Sequence, residues 1–160
     1  MSLLNIVRWF HVISGISWLG EVITINFVLV PVVLKLSNKE REAFIQNVFP
    51  RIFRLASVLS GTAIISGALL NYLLTGWKNL DVLLHSRWGM SIAIGGAIGL
   101  LLALFHFTFE RHLEPIAVSV DEMSDEEVQK MLNHLKVVPR VGMLILIAVI
   151  LLMMIAIRGV

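Results

Sequence analysis

Four runs of mainly apolar residues divide the chain: Leu3 to Leu34, Phe49 to Thr75, Trp88 to Phe109 and Val137 to Ile157. Each reaches the roughly 20 residues that a helix needs to cross a bilayer. Between the first and second, Ser37-Asn38-Lys39-Glu40 has the Ser-x-x-Glu form of a capping box and predicts a short helix leading into the second span. The connection from Gly76 to Arg87 is short. The third is acidic and holds a second capping box, Ser124-Asp125-Glu126-Glu127. After it Val128, Met131, Leu132 and Leu135 recur at helical spacing, which predicts an amphipathic helix on the membrane surface. The pattern therefore predicts one all-α domain over residues 1–160: an integral membrane, antiparallel four-helix bundle with short amphipathic helices in the cytoplasmic loops.

Composition points the same way. Hydrophobic residues make up 58% of the 160 and charged residues 15%, with a mean hydropathy of +0.88. Soluble domains run nearer one half and one quarter. A net charge of +2, confined to loops, excludes a nucleic-acid partner. Without cysteine, disulfides, iron–sulfur clusters and thiolate metal sites are excluded. The first apolar run is too long for a signal peptide and no small-residue cleavage site follows it, so it is expected to be retained.

The basic residues set the orientation. The first and third loops, with their helix ends, hold Lys35, Lys39, Arg41, Arg51, Arg54, Arg111, Lys130, Lys136 and Arg140. The opposite side holds Arg8, Lys78, Arg87 and Arg158. The positive-inside rule then places both termini outside and the two longer loops in the cytoplasm of a prokaryotic cell. Trp9, Trp77 and Trp88 fall together at the outer interface, where an aromatic belt is expected.

The chemistry gathers on the first span, which carries His11, Glu21 and Asn26 in otherwise apolar sequence. Ionisable groups at such positions are expensive and mark candidate sites. His11, Gly15 and Trp18 share a helical stripe. Small residues form a second stripe at Ser57, Ser60, Gly61, Gly67, Ala68 and Asn71, and a third at Gly95, Gly96 and Gly99. Such stripes admit either close helix packing or the flat face of a porphyrin. His85 lies on the same side as His11, whereas Arg87 to His106 measures about 28 Å of helix. His11 and His106 are thus expected at opposite faces of the bilayer, unable to share one iron. His85 becomes the candidate second axial ligand, with Arg8 and Arg87 placed for two propionates. His106 is the candidate for a second metal or haem site. With His112, His134, Glu110 and Glu114 it reads equally as a divalent-metal cluster or as headgroup-facing polarity. Glu21 is expected either to pair inside the bundle or to carry protons.

The run His11-Val12-x-x-Gly15-Ile16-x-Trp18-Leu19-Gly20, followed by Asn26-Phe27-Val28-x-Val30-Pro31, resembles the membrane domain of the PuuD-type urate oxidases. More loosely it resembles the CopD copper-resistance and HemJ protoporphyrinogen-oxidase families. The likeness covers about a fifth of the chain. His85-Ser86-Arg87 stands where the HemJ family has His-x-Lys, and the chain holds no Cys-x-x-Cys-His of a cytochrome c domain. The resemblance implies a four-helix membrane unit binding haem b, with His11 the transferable ligand. The expected function is a b-type cytochrome exchanging electrons with a quinone or a soluble carrier, with one haem or two. The alternatives are a haem-dependent membrane oxidase and a CopD-like copper-transport protein. The expected partners are the lipid bilayer, that electron carrier and, as an open alternative, a second copy of the chain.

Overall fold

The computed structural model describes residues 1–77, 80–118 and 123–158. These are almost entirely helical, with no strand among them. Helix α1 spans Leu3–Thr24, a π-helical turn follows at Ile25–Leu29, and α2 spans Val30–Val33. Then come α3 (Asn38–Thr75), α4 (Leu80–His85), α5 (Arg87–Val118) and α6 (Asp125–Arg158). Four helical stretches, the first running from α1 through α2, are long and apolar enough to cross a membrane. They match the four runs seen in the sequence.

Local chemistry explains the boundaries. Ser2 caps α1 by accepting from the Asn5 amide. Both predicted capping boxes form: Glu40 Oε2 accepts from the Ser37 amide at 3.1 Å, and Glu127 Oε2 from that of Ser124 at 2.9 Å. At the far end of α3, Gly76 takes the left-handed conformation with φ 60° that closes a helix without a Cβ penalty. The π turn ends beside Pro31, whose ring crowds the carbonyl four residues back and whose nitrogen donates nothing. Widening the preceding turn, with the Val30 amide bonding to Ile25, accommodates it.

The short helix expected to lead into the second span is continuous with it, and the amphipathic helix expected on the membrane surface after Ser124 is corrected by the structure. The segment after Ser37 is the first part of the 38-residue α3, and the segment after Ser124 is the first part of the 34-residue α6. Their apolar residues turn inward. Met131, Leu132 and Leu135 are buried against Ile45, Phe49, Phe53, Val33, Leu113 and Ala117, so this end of the molecule has a dense core of its own. An apolar stripe that finds protein partners has no need of a headgroup surface. A smaller cluster joins Trp18, Ala103 and Leu146 farther along.

Helix α1 packs on α3, α3 on α5, and α5 on α6, with α6 returning to α1. Outward positions on the four long stretches are large and apolar: Ile65 is 72% exposed, Leu101 66% and Leu144 64%.

Candidate functional site

His11 stands on the inward stripe of α1 with Val7, Ser14, Trp18, Glu21 and Ile25, at the spacing that returns to one helix face. Its Nδ1 lies 2.9 Å from the Ala63 carbonyl oxygen of α3. A carbonyl only accepts, so Nδ1 carries the hydrogen and donates it. The same carbonyl also accepts from the Ser66 hydroxyl at 3.2 Å. Gly67 makes the approach possible, because a Cβ there would come within 2.9 Å of the His11 ring carbon Cε1. Nε2 is left with its lone pair and without a hydrogen-bond partner among the described residues. This is how ligating imidazoles are commonly held, with one nitrogen fixed by a carbonyl and the other presented.

His106 is placed elsewhere than expected. Its Nε2 shares a hydrogen bond with the Ser57 hydroxyl of α3 at 3.2 Å. Ser57 and Ala63 are about 9 Å apart along that helix, so His11 and His106 differ in depth by about that much and not by a whole bilayer. The sequence estimate began α5 at an interface Trp and ran His106 to the far side. In the structure α3 and α5 both continue well past it. The two imidazoles still cannot ligate one metal, whose two nitrogen ligands would stand only about 4 Å apart. They also dock on different sides of α3, toward α1 and α5 respectively.

The other candidates are spread out. His85 ends α4 against α5, is 74% exposed, and donates from Nδ1 to Asp81 Oδ1 at 2.9 Å. The structure shows no contact between it and His11. Arg8 and Arg87 are exposed, on the second turn of α1 and the first residue of α5. A Cβ on Gly15 would meet nothing within 4 Å. Gly95 and Gly99 instead serve packing: a Cβ would approach Met153 at 3.0 Å on the former, and Ile64 and Val149 at 3.8 Å on the latter. His112 and His134 are exposed, and His134 bonds the Lys130 carbonyl of its own helix. The side chains of Glu110 and Glu114 lie outside the described residues, among which no group of three potential metal ligands assembles.

Trp18 is buried at 4% exposure and belongs with a different group. It lines a cavity of about 70 Å³ between α1, α3, α5 and α6, together with Glu21, Phe53, Phe105, His106 and Phe109. Glu21 is 7% exposed, and neither carboxylate oxygen has a hydrogen-bond partner. Asn26, within the π turn, donates to the Val22 carbonyl while its own oxygen is unpartnered. Sequence reasoning marked Glu21 and Asn26 but missed that Glu21 and His106 line one cavity. The Ser14–Trp18–Glu21–Ile25 spacing was the available signal for its inward aim. Nothing in the sequence pointed to Ala63 and Gly67 as the seat of His11.

Compared with known protein families, characterised proteins and solved structures, the chain matches none.

Proposed function

We propose that this protein is a small b-type cytochrome of a prokaryotic cell membrane, its four long helices forming an antiparallel transmembrane bundle with both termini outside. Membrane insertion rests on four apolar stretches of sufficient length and on the large apolar side chains they turn outward, which water would not tolerate over so wide an area. The single observation that carries the haem assignment is the posture of His11: Nδ1–H on the Ala63 carbonyl, ring over Gly67, Nε2 unpartnered. Gly15, one turn along α1 from that imidazole, has open space where a Cβ would stand.

The bound haem would supply a one-electron couple between ferric and ferrous iron. The chain's part is positional. Ala63 fixes the tautomer and orientation of His11, Gly67 sets its depth against α3, and the hydrogen bond raises the basicity of the free nitrogen. His85 is the proposed second ligand. To serve there, the His85 side chain would have to give up its contact with Asp81 of its own helix. Arg8 and Arg87, at the same end of their helices, are charged for propionates. A quinone or a soluble carrier is the proposed electron partner.

The test is the absorption spectrum of the protein purified in detergent from haem-replete cells, before and after dithionite. The expected result is a Soret band with sharp α and β bands on reduction, absent in His11→Ala. A colourless preparation overturns the assignment, and stoichiometric copper in it would favour a copper carrier instead.

A further inference from the structure

Glu21 is the one buried carboxylate among the described residues, and it has no partner for either oxygen. An ionised carboxylate withdrawn from water is strongly disfavoured unless something compensates its charge. Among the described residues no Lys or Arg lines the central cavity, nor the second hollow that Glu21 borders with Ser17, Thr24, Ile52, Leu55 and Leu59. The basic residues on nearby turns are Arg51 and Arg54 of α3, both exposed, and Lys136 and Arg140 of α6; none lines either space. His106 is the other ionisable group on the cavity wall among the described residues. The carboxyl group must therefore hold a proton or a free cation.

The surroundings favour the proton. Hard cations need six or more oxygen ligands, or a nearly complete shell of waters. Here the walls are chiefly aromatic and aliphatic, and Asn26 is not among the lining residues. A volume of about 70 Å³ suits a few water molecules, each occupying about 10–15 Å³ on this measure. Glu21 and His106 both line this space and offer such water polar side chains; Leu135 lines it too, and its carbonyl has no i+4 amide to accept from because Pro139, four residues on, has no N–H.

We infer that Glu21 is an internal proton-binding site whose proton exchanges with bulk water through the cavity between Trp18, His106 and Pro139. On release the O–H bond of the carboxyl breaks, the proton passes to cavity water, and the carboxylate keeps the electron pair; uptake reverses this, and no other atom is consumed. His106 acts as a positioning residue that holds the water. The inference does not depend on His11 binding haem.

Infrared spectroscopy of the protein in lipid nanodiscs tests it. Carboxylates exposed to water are ionised at neutral pH, so among the described residues the C=O stretch of a protonated acid is expected from Glu21. It should shift down on transfer to ²H₂O and vanish in Glu21→Gln. His106→Phe should slow the ²H₂O shift several-fold. The wild-type measurement stands by itself if the Gln variant does not fold. Four results would overturn the inference: no acid band at neutral pH, a band unmoved after prolonged ²H₂O exposure, an exchange rate unchanged in His106→Phe, or loss of the band at fixed pH when sodium, potassium or magnesium is added. The last would assign the site to a cation.

Discussion

His11 is held by one hydrogen bond and by a missing side chain, and the second is the easier to test. A Cβ at Gly67 would stand 2.9 Å from His11 Cε1, closer than side-chain carbons approach such a ring. Alanine gains roughly 0.5–1 kcal/mol over glycine in a helix interior. Overpacking a close contact costs about 1–3 kcal/mol, and here the ring cannot retreat without stretching its bond to Ala63. Overpacking should win: Gly67→Ala is expected to lower the thermal unfolding midpoint in detergent and to weaken haem retention. Gly15→Ala is the control on the partner helix, since its Cβ meets nothing, and it should leave the midpoint unchanged or raise it. Equal losses at the two positions would mean that Gly67 is not the seat of His11. Trp18 has the larger structural share. Truncating so buried a ring typically costs about 3–5 kcal/mol, so Trp18→Ala should give the greater fall in midpoint without removing the ligand.

At the scale of the element, the helix starts are set by side chains that the sequence displays openly. Ser37 and Ser124 each bond a glutamate three residues on, and each glutamate returns to the serine amide. Ser37→Ala or Ser124→Ala should cost about 1 kcal/mol of stability apiece, read by denaturant titration in mixed micelles, and the double variant should show the sum because the caps belong to different helices. What the sequence concealed lies just beyond those caps. Val128, Met131, Leu132 and Leu135 give the same spacing whether their stripe meets lipid headgroups or protein, and only the positions of Ile45, Phe49 and Phe53 on another helix decide it. Pro139 stands inside α6, which runs through it from the first segment into the apolar stretch. Periodicity reports which face is apolar, not what covers it. The depth of His106 was concealed for a related reason: the register of α5 on α3 depends on contacts such as Phe107 against Gly61, 46 positions apart in the chain, which no local pattern encodes.

Across the whole molecule, dense packing and positive charge fall at the same end. Phe49, Ile45, Leu132, Leu135 and Val33 are fully buried near the two longer loops, and nine of the thirteen Lys and Arg residues sit on that side of the sequence pattern. In the proposed topology an even number of spans puts both termini on one side, and the positive-inside rule would place the loop side in the cytoplasm. The absence of native cysteine makes this directly measurable. Single Ser2→Cys and Ser124→Cys variants replace exposed residues before α1 and before α6. Exposed to a membrane-impermeant maleimide, Ser2→Cys should be labelled in intact cells and Ser124→Cys only after permeabilisation. The reverse pattern would invert the orientation, and labelling of both from one side would remove the four-span topology. The outcome bears on chemistry as well as topology. His11 lies on the third turn of α1, about 14 Å of helix from Ser2, whereas the cavity of Glu21 lies toward the loop end. If Ser2 faces outward, the proposed haem site at His11 would lie nearer the outer surface and the proposed proton site at Glu21 nearer the cytoplasm.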